Sequence, residues 1–143
     1  MKKRTFILVS IVMLLMSSLA VVSCGSDDET ENEENYSALY GRWALLGYVS
    51  NGNFVSSNYN KSYFSLQEDG VFIGQFCNEF SGKYSFSRDG EFHILDCFST
   101  QVMSTDADIM FMEEQLINLR SFKIEGNILR LYYSTNDYLK FSR

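Results

Sequence analysis

The chain has 143 residues and a formal net charge of −6, and this length leaves room for a single domain of roughly 100 to 110 residues with one modest core. From Tyr36 onward it contains nine Lys plus Arg against twelve Asp plus Glu, a net charge of 9 − 12 = −3. Because a negative domain without a basic patch gains nothing from phosphates, the composition excludes a nucleic-acid partner.

Residues 1–23 are predicted to be a signal peptide. Three basic residues at positions 2–4 precede an apolar run at 6–22, which is short of the roughly 20 residues of a spanning helix. The run ends in Val21-Val22-Ser23-Cys24, which resembles the lipobox of bacterial lipoproteins. The resemblance implies that residues 1–23 are a lipoprotein signal peptide, which is cleaved before Cys24, and that acyl chains on Cys24 attach the protein to a membrane. The alternative is an uncleaved membrane anchor.

Residues 24–35 are predicted to be an acidic, disordered tether. After Cys24 the segment carries six acidic side chains and no apolar one, so burial cannot offset its ordering entropy. An acidic run behind a lipidated cysteine resembles the surface-export signal of Bacteroidota lipoproteins, and Gly25 argues against retention in the inner membrane. We therefore expect anchoring in the outer membrane, with the domain at the cell surface or, as the alternative, facing the periplasm.

The folded domain, residues 36–143, is predicted to begin with a strand at Gly41–Val49, whose buried face carries Trp43, Leu45 and Tyr48. A polar loop follows at Ser50–Asn60. Two hairpins come next, with turns at Glu68-Asp69-Gly70 and Arg88-Asp89-Gly90.

The stretch Gly74–Tyr84 joins these hairpins and is the centre of the predicted fold. Its alternation predicts that Phe76 and Phe80 are buried, while Gly74 and Gly82 allow close approaches that a Cβ would oppose. Asn78 lies in the turn of this stretch, where we expect it to make turn hydrogen bonds.

A helix is predicted to end at about Arg120. Ser104 or Thr105 can cap it, because Thr105 and Asp108 have the spacing of a capping box. Neighbouring Glu113 and Glu114 point apart and are interpreted as a solvated face. The apolar residues of the helix are interpreted as core filling: Ile109, Met110, Phe111, Met112, Leu116 and Leu119.

Three further strands are predicted at Phe122–Ile124, Ile128–Tyr133 and Tyr138–Phe141. The predicted fold class is therefore mainly β, a β-dominated α+β domain. It is a single antiparallel β roll or barrel of about eight short strands, with one α-helix inserted before the last three strands.

Several of these residues together resemble a known family. They are Trp43, the run Phe76-Cys77-Asn78 followed by Gly82 and Tyr84, Thr100 before the helix, Ile124-Glu125-Gly126-Asn127, and Leu139-Lys140-Phe141. The pattern is similar to the META/HslJ domain family over Gly41–Phe141. Phe76 stands where the family usually has glycine, and Ser104 where it often has a second cysteine. The resemblance implies an envelope protein with no established enzymatic activity, related in some members to stress or antibiotic tolerance.

Neither catalysis nor metal binding is predicted from the side chains. His93, the only histidine, has no identifiable nucleophile as a partner. Cys77, His93 and Cys97 are unevenly spaced and lack a paired Cys-x-x-Cys, so they do not predict a zinc site. Cys77 and Cys97 are instead candidate disulfide partners, since they lie in an exported location near strand ends on either side of one hairpin; two free thiols are the alternative.

Aromatic residues are abundant, with 21 from Tyr36 onward. Either they form an exposed recognition surface, with Tyr132, Tyr133 and Tyr138 as candidates, or they pair across strands. The sequence predicts a monomeric, non-enzymatic envelope lipoprotein without a cofactor, which binds an envelope protein or a small ligand. The alternatives are a purely structural or stress-protective component and a hydrolase.

Overall fold

The computed structural model describes residues 36–58, 61–102 and 104–143, and its architecture is a curled antiparallel sheet with one helix. The helix, α1 (Ala107–Gln115), continues into a 3-10 turn at Leu116–Asn118. The strands are β1 (Gly41–Ser50), β2 (Asn53–Ser56), β3 (Tyr63–Leu66), β4 (Val71–Gln75), β5 (Glu79–Phe86), β6 (Phe92–Ser99), β7 (Ser121–Glu125), β8 (Ile128–Tyr132) and β9 (Tyr138–Ser142). The predicted fold class, with the helix before the last three strands, is confirmed.

The described strands form one nine-stranded sheet, in which eight follow one another in the order β6-β5-β4-β3-β1-β9-β8-β7. Near the middle of this order β1 pairs with β9, and Ala44 lies opposite Ser142. The short strand β2 lies beside this path and pairs only with β1. The sequence predicted a loop at 50–60 because this segment is polar, and the structure corrects this with a short strand whose residues are mostly exposed. The Asn51-Gly52 turn, with positive φ at both residues, folds β2 back on β1.

The sheet curls until its two edge strands meet at one end. Glu91 and Ser121 form a bridge, beside which the amide of Phe92 donates to the carbonyl of Arg120 at 2.9 Å. The amide of Phe122 donates to the carbonyl of Gly90 at 2.9 Å. Because these contacts join the two edges only at the start of β6 and β7, the described strands form a curled half-barrel.

The core fills the concave side of the half-barrel, and aromatic rings supply much of it. Trp43, Leu45 and Tyr48 are buried, as predicted, and so are Phe76 and Phe80. The other buried apolar residues are Leu39, Phe64, Leu66, Phe72, Tyr84, Phe92, Ile109, Met112, Leu116, Leu119, Leu129, Leu131, Leu139 and Phe141. Since most strands contribute alternate residues to it, this one cluster ties the sheet to the helix.

Two glycines allow the strands β4, β5 and β6 to pack closely. A Cβ at Gly74 would meet the ring of Phe80, and one at Gly82 would meet the backbone carbonyl of Asp96. Asp96 belongs to an irregularity in the pairing of β5 with β6, where the amide of Lys83 donates to its carboxylate at 2.6 Å. The predicted close approaches at both glycines are confirmed.

Helix α1 begins later than predicted. Its N-cap is Asp106, whose carboxylate accepts from the amides of Asp108 at 2.9 Å and Ile109 at 3.2 Å. The predicted capping box of Thr105 and Asp108 is therefore wrong, because the Asp106 carboxylate alone satisfies these first amides. The α-helix also stops at Gln115 and tightens into the 3-10 turn before reaching Arg120.

The helix covers one end of the half-barrel. Its Phe111 ring lies 4.7 Å from the ring of Tyr48 on β1, and the Tyr48 hydroxyl donates to Asp108 at 2.9 Å. Ile109 and Met112 are buried as predicted, Phe111 is half-buried, and Met110 is exposed, which corrects the expectation that it fills the core. Within the part of the chain that the structure describes, no helix has the length and apolarity to cross a membrane.

Candidate functional site

The turn between β4 and β5 is held by a carboxylate from the helix. The Glu113 oxygen Oε1 accepts from the backbone amides of Cys77 at 2.9 Å and Asn78 at 2.7 Å. The other oxygen, Oε2, accepts from the Asn78 side-chain amide at 2.8 Å. Three N–H groups therefore converge on one half-buried carboxylate, and the interpretation of Glu113 as part of a solvated face is wrong.

Asn78 extends this network to the loop between β6 and α1. Its Oδ1 accepts from the amide of Val102 at 2.6 Å and from the Thr100 hydroxyl at 3.4 Å. The Thr100 amide donates to the carbonyl of Glu79 at 2.9 Å. The expectation that Asn78 makes turn hydrogen bonds is confirmed, and the same side chain also joins the turn, the loop and the helix.

The other residues of the sequence motif are part of the core. The Trp43 indole donates to the carbonyl of Leu39 at 2.9 Å, and the Tyr84 hydroxyl donates to the carbonyl of Gln67 at 2.6 Å. Burial raises the pKa of Tyr84, so this hydroxyl stays protonated. These contacts position the strands, so both side chains have a structural role.

Cys77 and Cys97 are half-buried free thiols that pack against the core. Burial raises the pKa of Cys97, and the charges of Asp96 and Glu113 raise it further, so the thiolate is disfavoured. Their pairing in a disulfide stays a prediction for the oxidised protein. Cys24, together with the signal peptide at 1–23 and the tether at 24–35, lies outside the described residues.

His93 lies exposed on β6, opposite Ser85 of β5. Among residues 36–58, 61–102 and 104–143, no three His, Cys, Asp or Glu side chains come together in a group that could hold a metal ion. The contacts of the Glu113 carboxylate are hydrogen bonds from N–H groups of the turn.

Two open clefts adjoin this network. The first, of about 370 Å³, is lined by Ile73, Glu79 and Phe98, among others. The second, of about 980 Å³, runs past Val102 and Met110 and includes Asn78, Glu113 and Glu114. Ser99 and Thr100 line both clefts, so the two are neighbours on one surface. We call the exposed apolar side chains of these clefts, Ile73, Phe98, Val102 and Met110, the β6–α1 surface.

Tyrosine does not form an exposed surface. All eight described tyrosines are buried or half-buried, and the exposed aromatic residues of the described chain are Phe54 and Phe98. Tyr132 and Tyr138 pair across β8 and β9 with ring centroids 5.1 Å apart, and the Tyr133 hydroxyl donates to the carbonyl of Val49 at 2.8 Å. Of the two interpretations of these aromatics, cross-strand pairing applies.

The residues of the β6–α1 surface were not identified from the sequence, although a signal was present. Ile73 follows the buried Phe72 in an alternating strand, so it points to the outer face. Met110 follows Ile109 and falls off the face that Met112 and Leu116 share. An apolar residue on the wrong phase of a periodic pattern indicates surface exposure.

Solved structures share this fold. An NMR structure with 24% sequence identity and a TM-score of 0.55 covers 72% of this chain and 88% of its own. A crystal structure of a DUF4847 family protein from Bacteroides vulgatus ATCC 8482 has 16% identity and a TM-score of 0.54, with coverages of 71% and 91%. An NMR structure of a protein from Burkholderia xenovorans has 16% identity and a TM-score of 0.59, with coverages of 76% and 86%. At these identities the likeness concerns the fold alone.

No curated protein matches the sequence of this chain. The META domain, in contrast, matches residues 37–143, a range that includes every strand and the helix of the half-barrel. The residues that suggested the resemblance, from Trp43 to the Cys77-Asn78 turn, form its core and its central network. The chain therefore belongs to the META domain family.

Proposed function

We propose that this META-domain protein is a non-enzymatic envelope lipoprotein, anchored through Cys24, that binds a partner protein through the β6–α1 surface. The observation that carries the proposal is the exposure of four large apolar side chains around two adjoining clefts. Phe98 is 71% exposed, Val102 57%, Met110 46% and Ile73 41%. Apolar side chains that share one exposed surface are typical of protein interaction sites.

The state of the polar groups favours a protein partner over a small ligand. Sites for small ligands direct a few free polar groups into a concave pocket. Here the central polar atoms already bond one another, because Glu113 accepts three N–H groups and Asn78 uses both ends of its amide. The groups of this surface that remain available for contact with a partner are therefore mainly apolar.

The same contacts support a role without catalysis. A general base must reach a substrate proton, and the Glu113 oxygens are occupied by donors from the turn. A nucleophilic cysteine needs an accessible thiolate, whereas Cys97 is half-buried with a pKa raised by burial. Partner binding in the envelope is compatible with the stress or antibiotic-tolerance role that the family resemblance implies.

The test is chemical crosslinking on intact cells, followed by purification of the protein and identification of its partners. We expect a Phe98→Ser, Met110→Ser variant to lose a partner that the wild type captures. Phe54→Ser is the matched control, since Phe54 is an exposed phenylalanine (51%) on β2, away from the clefts. An identical set of crosslinked proteins for all three would refute the proposal and favour a purely structural or stress-protective component.

A further inference from the structure

The β6–α1 surface combines apolar side chains with acidic ones. We propose that its partner is a peptide segment that carries both basic and apolar side chains. This inference rests on the proposed function and specifies the chemistry of the partner at the same site.

The sequence around the surface has charge of one sign. Residues 95–119 contain five acidic residues and no Lys, Arg or His: Asp96, Asp106, Asp108, Glu113 and Glu114. Lys83 and Arg120 are nearby in the chain or the sheet, but they line neither cleft. A bound segment therefore meets a negative potential, which favours basic side chains in the partner.

Two of the acidic groups at the clefts are available to a partner. Glu79 lines the first cleft and Glu114 the second, and both residues are exposed. Neither forms an ion pair with a basic residue in the described part of the chain, where the ion pairs join Glu125 to Lys123 and Arg130. Each can accept a Lys or Arg from a partner without breaking an internal contact.

Each cleft combines one of these carboxylates with exposed apolar side chains. Phe98 shares the first cleft with Glu79, and Met110 shares the second with Glu114. A segment that places apolar side chains against Phe98 and Met110 brings its flanking residues next to both carboxylates. Alternating apolar and basic positions in one peptide fit this arrangement.

Charge also argues against two other occupants. A second copy of the chain would bring the same acidic surface and a domain of net charge −3, so the two copies would repel. An anionic membrane surface would be repelled for the same reason. The peptide is the occupant that satisfies both the apolar and the acidic groups.

The test is a titration of the full chain in a non-ionic detergent with three fluorescein-labelled peptides, followed by fluorescence anisotropy. The peptides alternate leucine with lysine, with glutamine or with glutamate, and a titration of detergent alone is subtracted. We expect the leucine–lysine peptide to bind most tightly, and we expect its binding to weaken as salt is added. The leucine–glutamate peptide should bind at least about tenfold more weakly.

Variants assign the binding to the surface. The double variant Glu79→Gln, Glu114→Gln should bind the leucine–lysine peptide about tenfold more weakly, with unchanged affinity for the leucine–glutamine peptide. The double variant Phe98→Ser, Met110→Ser should bind both peptides about tenfold more weakly, or weaker still. Glu68→Gln, at an exposed acid in the turn between β3 and β4, and Phe54→Ser are matched controls that should bind like the wild type.

Three results would overturn the inference. Equal binding of the three peptides would show that binding does not require basic side chains. Equal binding by all variants would show that the peptide binds outside the β6–α1 surface. Failure of every peptide to bind would exclude this class of partner. In each case the proposed function still stands if crosslinking on intact cells depends on Phe98 and Met110, so the two failures are distinguishable.

Discussion

Replacing Glu113 by alanine should destabilise the protein strongly, because one carboxylate holds the β4–β5 turn. It accepts two backbone amides and one side-chain amide at 2.7–2.9 Å. A hydrogen bond to a charged group contributes about 1.5–3 kcal/mol, but water can replace part of this at a half-buried turn. We therefore expect Glu113→Ala to lower the free energy of unfolding by about 2–4 kcal/mol.

The assay is equilibrium unfolding in urea, followed by the fluorescence of Trp43, the one tryptophan, which is fully buried. With an m-value of about 2 kcal/mol per M, the midpoint should fall by about 1–2 M. Glu114→Ala is the matched control, since this neighbouring side chain is exposed and should change the midpoint little. Equal midpoints for Glu113→Ala and Glu114→Ala would refute the reasoning.

A double-mutant cycle separates the contact from the general loss of a side chain. Glu113→Gln places an amide group against the side-chain amide of Asn78, and Asn78→Asp places a carboxylate against Glu113. Each single change should cost about 1–2 kcal/mol, while the double change restores a donor–acceptor pair. Coupling below about 0.5 kcal/mol would show that these two side chains act independently.

Three further predictions concern other parts of the chain. Gly82→Ala should lower the free energy of unfolding by about 2 kcal/mol or more in thermal denaturation, because its Cβ would meet the Asp96 carbonyl. Cys24→Ala should abolish acyl-chain labelling and release the protein from membranes. A disulfide between Cys77 and Cys97 should make the non-reduced protein lighter than the reduced protein by the mass of two hydrogens. In the reduced protein, alkylation of Cys97 at neutral pH should be slow, because burial raises the pKa of its thiol.

Each of these has a contrary outcome. A Gly82→Ala protein as stable as a Ser81→Ala control would mean that β6 shifts freely away from β5. Acyl labelling that survives Cys24→Ala would exclude Cys24 as the lipidated residue. Two titratable thiols in protein purified without reductant would end the disulfide hypothesis.

The core strands and the hairpins were predictable because their determinants are local. Alternation identified Trp43, Phe76 and Phe80 as core residues, and the turn residues identified the hairpins β3–β4 and β5–β6. The strand β2 was missed since its four residues are mostly exposed and its pairing with β1 depends on the Asn51-Gly52 turn rather than on a buried face.

The site was less predictable because its contacts are distant in the chain. Glu113 was assigned to solvent from its neighbours on the helix, whereas its partners are 35 and 36 residues away. Only the packing of α1 over the end of the half-barrel brings this carboxylate to Cys77 and Asn78. Periodicity gives the face of a helix, but it does not give the polar group that the face will meet.

The position of β9 beside β1 has a consequence for the order of folding. Most other pairings join strands that follow one another in the chain, so two meanders, β3 to β6 and β7 to β9, can form from local contacts. The pairing of Ala44 with Ser142 spans 142 − 44 = 98 residues, and contacts of such separation form slowly, since a long loop must first close. During synthesis, one edge of β1 therefore stays unpaired until β9 has been synthesised. Only then can the two meanders join into one sheet.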